Sequence, residues 1–579
     1  MKFKINNGLG MTMLAVSGLL ALASCSDKWD DHYEGNSSID FAGTTLQYIQ
    51  SQEDLTDFAQ VIKASGYDKD LSSSQVLTIF APENGTFNKD SLLQLIQSGQ
   101  KQNVIDRFIK NHISRYNYSL NNNEQTLMLL NEKNLHLGTL ADAKVGSANA
   151  IRKNVSCKNG VLQVIDNFIP YSANLYEQYS ILNDSYGLPN DSVVSLFNFI
   201  KAYDDDQLDE GKSVEKGFDE NGNKVYVDSV MIRRNTILAG LGAYLYREDS
   251  NYVAIQPSLE AYRKRVEESL PYFKYNISYN PDKAVRDSMQ VLYANYNILK
   301  DLVFNMNSNQ HDKDSLFSTC YSRYNWEYNV FYKPYEEGGI LSKYNSVIEC
   351  SNGKTYVMDE IPFSIYDSFF HKIVVEGESS YYIETGDNAF TDVSATGWSS
   401  YSVSDGDSIM GHSFMEIYPT TSSKQVKVAY SLPNTLSGTY DIYLRMLPEN
   451  PLSYSYTIID GDTIKNPPLP SQFRVNLFER DSKTGQYPTK ATYAFKNPVD
   501  NSNYFHNSTT GIDSVYVGRY TFKECYYGSS SDGVLLQLNS YVTSSNKNKY
   551  TKELYLDNIS LIPVREEAQD QASARKRRN

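Results

Sequence analysis

Three kinds of side chain in this sequence stand where they could do chemistry. Cys25 follows an apolar run from Met13 to Ala23 that is broken only by Ser17. A thiol at the end of such a run is a group that can be acylated. Hydroxyls come next. Asp-Ser/Thr-aliphatic (or Met) tripeptides set Ser91, Ser192, Ser229, Ser288, Ser315, Ser408, Thr463 and Ser514 each directly behind an aspartate. Asp-Ser pairs favour turns and helix N-caps, and exposed turns are where a glycosyltransferase could reach such a hydroxyl. The third kind is aromatic. Trp398, with Tyr401 and Tyr418 nearby, could stack on sugar rings, although a core position for Trp398 is the commoner arrangement.

Catalytic constellations are missing. The chain has no His-Glu-x-x-His, no Walker loop, no GxGxxG after a strand and no GxSxG. Gly411-His412-Ser413-Phe414-Met415 comes nearest to a nucleophile elbow, but it lacks the second glycine and lies among strands. The histidines are isolated. Asp405-Gly406-Asp407 and Asp460-Gly461-Asp462 are turn sequences without the further carboxylates that calcium needs. No catalytic residue, metal site or cofactor is expected, and the chain is expected not to be an enzyme.

Composition sets the frame that must position these groups. A chain of 579 residues implies about three to four domains. Its net charge of -15 and pI of about 5.1 lack the electrostatic footprint of a nucleic-acid binder. Cys157, Cys320, Cys350 and Cys525 are far apart, with no CxxC among them, so neither a zinc site nor a disulfide framework is expected. Free thiols are the plain reading, with a Cys320–Cys350 pair as the alternative. Tyrosine is the outlier at 47 residues against 24 Phe and 3 Trp. Its ring suits half-wet surfaces and sugar stacking, but Tyr in place of Phe on sheet faces is the simpler account.

The apolar run is too short to span a bilayer, since a membrane helix needs ~20 residues. With Lys2 and Lys4 before it, it reads as a secretory signal over residues 1–24. Leu22-Ala23-Ser24-Cys25 resembles a bacterial lipobox, which implies cleavage before Cys25 and acylation of its thiol. Ser26-Asp27-Lys28-Trp29-Asp30-Asp31 resembles the surface-export signal of Bacteroidota lipoproteins, behind which residues 25–41 would form an acidic tether. The recurring Asp-Ser/Thr tripeptide resembles the O-glycosylation acceptor motif of the same group. The expected address is the outer membrane, lipid-anchored and facing the cell exterior.

Helical spacing begins at Leu46, Ile49, Leu55, Phe58, Val61 and Ile62. A β-rich run, Val76 to Pro82, follows, then a helix-like stretch from Asp90 to Ile113, then strands near 126–130, 134–140 and 161–169. Thr78-Ile79-Phe80-Ala81-Pro82-Glu83-Asn84-Gly85-Thr86-Phe87 resembles the first signature of fasciclin domains. Asn159-Gly160-Val161-Leu162-Gln163-Val164-Ile165-Asp166 resembles the second. Between them, Phe108-Ile109-Lys110-Asn111-His112 stands where the family has its Tyr-His element, with Asn111 in place of the tyrosine. The resemblance implies an α+β adhesion module over 42–175.

The pattern repeats. Asn251 to Tyr262 echoes Thr78–Phe87, and Cys350 to Asp359 echoes Cys157–Asp166, which predicts a second, diverged fasciclin-like domain over 176–370. It would carry a hairpin at Asp219–Asp228, turned at Asn221-Gly222. From Ile373 short strand-like runs recur at close spacing and predict an all-β jelly-roll sandwich over 371–565. Its opening Val374 to Glu378 and closing Leu554 to Pro563 resemble galactose-binding-like modules, a fold common among carbohydrate-binding modules. Residues 566–579 read as a frayed tail. The expected fold is thus two α+β fasciclin-like domains followed by a β-sandwich. The expected function is non-catalytic binding or adhesion. Its partners would be a membrane through Cys25, a glycan, and outer-membrane transporter subunits of the SusC/SusD type. The alternative is a structural accessory subunit of a transport complex with no ligand of its own.

Overall fold

The computed structural model of the chain describes residues 39–71, 76–187, 195–210, 213–218, 220, 222–228, 231–306, 314–321, 328–384, 394–403, 409–449, 456–459, 462–528 and 533–565. Cys25, the signal, most of the expected tether and the 566–579 tail lie outside them. Two compact units divide the chain, one within Met1–Ala173 and one within Asn174–Asn579.

In the first unit the strands are β1 (Ile39–Asp40), β2 (Leu77–Pro82), β3 (Ile113–Arg115), β4 (Gln125–Met128), β5 (Asn134–Leu137), β6 (Lys144–Val145), β7 (Ala148–Cys157) and β8 (Gly160–Ile165). They form one sheet in the order β3-β2-β8-β7-β6-β5-β4, with β1 beside β7. β2 and β8 run parallel from Leu77↔Gly160 to Pro82↔Ile165, and every residue of both is buried. Side-chain alternation sends Leu77, Ile79 and Ala81 to one core with Phe58, Phe108 and Ile109, and Phe80 to another with Leu127, Leu135 and Ile165.

Two expectations change here. The end of the tether is ordered, because Ile39 and Asp40 pair with Val155 and Ser156. The single helix expected over 90–113 is broken. Gly99 takes φ 90 between Lys89–Leu95 and Lys101–Val104, and the run ends in strand at Ile113. A left-handed glycine cannot continue a right-handed helix.

The second unit opens with the same device. Its first six main strands are β9 (Tyr252–Pro257), β10 (Val303–Asn305), β11 (Ser315–Tyr321), β12 (Tyr328–Tyr332), β13 (Ser346–Cys350) and β14 (Gly353–Met358), in the order β12-β11-β10-β9-β14-β13. β9 and β14 run parallel from Tyr252↔Gly353 to Pro257↔Met358, the register of β2 and β8. Gly160 and Gly353 share φ near +143, where a Cβ would overlap the carbonyl oxygen of Leu77 or of Tyr252. The asparagine before each glycine caps from a distance. Asn159 Oδ1 accepts from Thr45 N at 2.8 Å, and Asn352 Oδ1 from Leu175 N at 2.9 Å. Each caps a helix start that also carries a capping box, Thr44/Gln47 in one and Asn174/Glu177 in the other. The polar insertion forms a hairpin of Val214–Phe218 and Lys224–Asp228; Asn221 lies outside the described residues.

Two antiparallel sheets follow. β15 (Ile373–Glu376), β16 (Thr396–Ser402), β17 (Ser413–Pro419), β18 (Lys427–Leu432), β19 (Gly438–Met446), β20 (Gln472–Phe478), β21 (Tyr493–Ala494), β22 (Phe505–His506), β23 (Asp513–Phe522), β24 (Val534–Ser540) and β25 (Leu554–Pro563) are its main strands. One sheet is β16-β17-β25-β19-β23 with β15 beside β25; the other is β18-β24-β20-β21 with β22 beside β20. Inward residues of both, such as Ile442 and Leu561 from the first and Val475 and Leu536 from the second, form one core.

That core does not stop at 371. Phe273, Tyr275, Ala294, Ile365, Phe369 and Phe370 belong to it. Tyr275 and Tyr279 donate to the Tyr527 carbonyl at 3.1 and 2.7 Å, and Tyr527 donates to Asn297 at 3.1 Å. Residues 273–294 and 365–370, read from sequence as part of the 176–370 domain, therefore serve the core of 371–565, while Tyr179, Phe199, Ile255, Leu299 and Phe304 form a separate core within 176–370. A run of aromatics over 269–279 and 365–370 reads as local core in a sequence, and only packing shows which sheet it serves. Cys157, Cys320, Cys350 and Cys525 are not joined by disulfides. Cys320 and Cys350 sit on β11 and β13, with three strands of the sheet between them.

Candidate functional site

Strand register places the three candidate aromatics. β16 and β17 pair Trp398 with Ile417, Tyr401 with Phe414 and Gly397 with Tyr418. Successive side chains alternate across a sheet, so Trp398 and Tyr401, three apart, face opposite sides. Trp398 packs against the core that holds Met415 and Ile417. Tyr401 stacks on Phe414 with ring centroids 5.7 Å apart, and Tyr418 lies over Gly397. The three residues do not form one stacking platform, and Trp398 serves the core.

The hydroxyls divide as well. Ser91 in the first turn of Lys89–Leu95, Ser288 within the helix Lys283–Lys300 and Ser514 on β23 are exposed. Ser315 opens β11 and is only 5% exposed, so the folded chain withholds it from a transferase, contrary to expectation. Thr463 is on a strand, Asp462–Lys465. Ser192, Ser229 and Ser408 lie outside the described residues. Regular elements, not turns, carry the placed sites.

Asp557 has the most perturbed carboxyl of the sheet pair. β25 bulges there: Arg445 pairs with Asn558 and Met446 with Leu556, leaving Asp557 unopposed. The extra residue lets Leu556 and Ile559, three apart, both face the core. Asp557 is fully buried; its Oδ1 accepts from Met410 N at 3.1 Å and its Oδ2 lies 3.0 Å from Arg445 Nε. Burial outweighs these partners and pushes its pKa up to about 6. Glu376 stands nearby, also raised by burial and then by Glu378, while Ser413 Oγ donates to Glu378 at 2.5 Å. Among the described residues no group of three or more His, Cys, Asp or Glu is placed to hold a metal ion.

Sequence reasoning missed the outward face of the β18-β24-β20 sheet. The inward residues of these strands are Val428 and Tyr430, Leu536 and Leu538, Phe473 and Val475. Alternation turns Lys427, Asn539 and Arg474, each half-buried, outward in one row, and Ala429, Gln537 and Asn476 in the next, where Ala429 and Gln537 are buried and Tyr487 packs beside Ala429. Asn539 Nδ2 and Asn476 Nδ2 both donate to Gln537 Oε1, at 2.8 and 3.1 Å. The Arg474 guanidinium lies 4.1 Å from the Tyr541 ring centre and 5.0 Å from that of Tyr504, whose hydroxyl accepts from it at 2.8 Å. Arg474 Nε and Asn539 Oδ1 are buried with no protein partner. Each such atom costs about 1–3 kcal/mol. The signal in the sequence was the set of polar residues Lys427, Arg474, Asn476, Gln537 and Asn539 at alternate positions of apolar strands, interrupted on the same face by Ala429, Phe478 and Leu535.

In the first unit His112 is wholly buried. Ile169 N donates to its Nε2 at 2.9 Å, and its Nδ1 lies 2.7 Å from the Phe108 carbonyl oxygen. Asn111, in the place of the family's tyrosine, donates to the Ile169 carbonyl at 2.9 Å and accepts from Asn131 at 2.9 Å. Asp166 holds Asn149 by its backbone N–H and side-chain amide, at 2.8 and 2.7 Å, and so closes the end of β7 and β8. All of these are structural contacts.

No curated protein matches this chain. Among solved structures, the FAS1 domain pair of the insect cell adhesion molecule Fasciclin I is similar over 54% of this chain and 98% of its own, at 14% identity and a TM-score of 0.19. The CBM22-1-GH10 modules of Clostridium thermocellum xylanase 10B, complexed with xylohexaose, match over 31% of this chain and 26% of theirs, at 10% identity and a TM-score of 0.19. Paenibacillus xanthan lyase matches over 43% and 20%, at 14% identity and a TM-score of 0.19. The fasciclin domain family matches residues 53–170. Residues 53–170 are thus a fasciclin domain.

Proposed function

We propose that this protein is a lipid-anchored, outward-facing outer-membrane protein that acts as a non-catalytic adhesion or binding arm, with glycan as its ligand. The observation that carries the reading is the fasciclin domain at 53–170. The apolar run ending at Cys25 supports the anchor, and the acidic stretch after it supports export. Each buried acyl CH₂ contributes ~0.8 kcal/mol, so two or three chains on Cys25 would hold it essentially permanently. A second fasciclin-like module at 176–370 is supported by the register and glycine geometry shared by β2/β8 and β9/β14. A galactose-binding-like sandwich is supported by the two sheets and their common core.

Two measurements on the full chain test the reading. Cys25→Ala should leave the membrane fraction, and the native protein should be cut by protease added to intact cells. Sedimentation of the variant with outer membrane would remove the anchor. The native chain is then run against a polysaccharide panel by affinity electrophoresis. No retardation on any glycan, together with co-purification of an outer-membrane transporter, would favour a structural accessory subunit.

A further inference from the structure

We infer that the outward face of β18, β24 and β20 binds a polysaccharide bearing carboxylates, one uronate seated between Lys427 and Arg474. This rests on the glycan-binding reading above and gives it a site and a ligand class. Lys427 and Arg474 pair with the same residue, Asn539, from its two sides. Neighbouring strands lie ≈ 4.8 Å apart, which sets the Cα atoms of Lys427 and Arg474 roughly 10 Å from each other across one row. Neither is ion-paired among the described residues, in a chain whose net charge is -15. None of the six residues of the two rows is an acid, and the nearest carboxylate along them is Glu384, whose backbone N–H donates to the Ala429 carbonyl at 2.9 Å at the end away from Arg474.

The neighbouring groups suit a sugar better than a peptide or a nucleic acid. Gln537 Oε1 takes one N–H from each of two asparagine amides and fixes their orientation. Asn539 Oδ1 and Arg474 Nε are left without protein partners, an acceptor and a donor that sugar hydroxyls and a carboxylate could complete after a small shift of the side chains over them. Tyr541 is 38% exposed and presents a ring beside Arg474. Arg474, held between two tyrosine rings, has its planar fork preset for a carboxylate. A polyanion of unspecific affinity would be repelled by the rest of this acidic chain, so the local row must supply the attraction.

The full chain is titrated into polygalacturonate, alginate and carboxyl-reduced polygalacturonate, with salt varied, in wild type, Lys427→Gln, Arg474→Gln and Trp398→Phe. Binding to at least one uronate polymer is expected, at least tenfold weaker for each of the first two variants and for the reduced polymer, and unchanged in Trp398→Phe. Near-UV circular dichroism reports whether Arg474→Gln keeps its packing; Lys427→Gln, on a half-buried strand-edge position, carries the test if it does not. Equal binding to the reduced polymer, full affinity in Lys427→Gln, or binding only to neutral glycans overturns the inference and leaves the glycan-binding reading standing. Absence of binding to any polysaccharide overturns both.

Discussion

The backbone N–H of Ile169 donates to Nε2 of His112 at 2.9 Å, which fixes the proton of that ring on Nδ1, facing the Phe108 carbonyl. The first unit is therefore built around a neutral imidazole. The ring ties the segment after β8 to the helical stretch before β3, and Asn111 repeats the tie through the carbonyl of the same Ile169.

Burial depresses the His112 pKa to about 4 against an ordinary value of 6.5. The unfolded chain takes up a proton below 6.5 while the folded chain does not, so this stability is complete above 6.5 and is lost as pH falls towards 4. The loss is on the order of 3 kcal/mol. Urea midpoints of the native chain should fall over that window, and His112→Gln, less stable at pH 7, should show a shallower slope. Parallel slopes would sink this account.

Asp557 has the opposite sign. Its folded pKa of about 6 lies above the ordinary 3.8, so the folded chain holds the proton longer than the unfolded one. Its contribution is most favourable below 3.8 and is lost as pH rises to 6, by roughly 3 kcal/mol. The melting temperature of the native chain relative to Asp557→Asn should therefore decrease from pH 4 to pH 6.5. A constant difference between the two proteins would show that Arg445 and Met410 fully compensate the burial.

Gly160→Ala and Gly353→Ala should each destabilise by about 3 kcal/mol or more. Each adds a Cβ at φ near +143 onto a carbonyl of the parallel partner strand. Thermal unfolding followed by limited proteolysis separates the two, because Gly160→Ala should expose the first unit and Gly353→Ala the second. A melting temperature within a degree of native for either one would show that its strand can move aside.

Residues 372–565 expressed alone should not hold a fixed core, whereas residues 174–565 should. Phe273, Phe369 and Phe370 fill the interior between the sheets, and losing even one such ring costs ~3–5 kcal/mol. Proton NMR dispersion of the two fragments decides it. A well-dispersed spectrum from 372–565 would show that the boundary at 371 is a true one.

How much could be read without coordinates depended on how local the cause was. Leu77–Pro82 and the Asn159-Gly160 turn are short-range patterns, and the fasciclin domain they point to is present at 53–170. Leu554–Pro563 is a strand because Leu554, Tyr555, Leu556, Ile559, Leu561 and Ile562 favour it, and it runs on through the bulge at Asp557. Gly99 was equally visible, yet a run of apolar spacing across it reads as one helix until its φ is known.

Side-chain direction is what the sequence alone left open. Trp398 and Tyr401 are neighbours in the chain and on opposite faces of a sheet; Leu556 and Ile559 share a face only because Asp557 bulges. Lys427, Arg474 and Asn539 come from three strands and meet through register. The sequence by itself determined the strands, the turns, the fasciclin signatures and the apolar run before Cys25, because each depends on residues a few positions apart. Only the tertiary structure decided that 273–294 and 365–370 complete the core between two distant sheets, and which polar residues share an outward row. Those depend on hydrogen-bond register and packing between segments far apart in the chain, as Lys427 and Asn539 are.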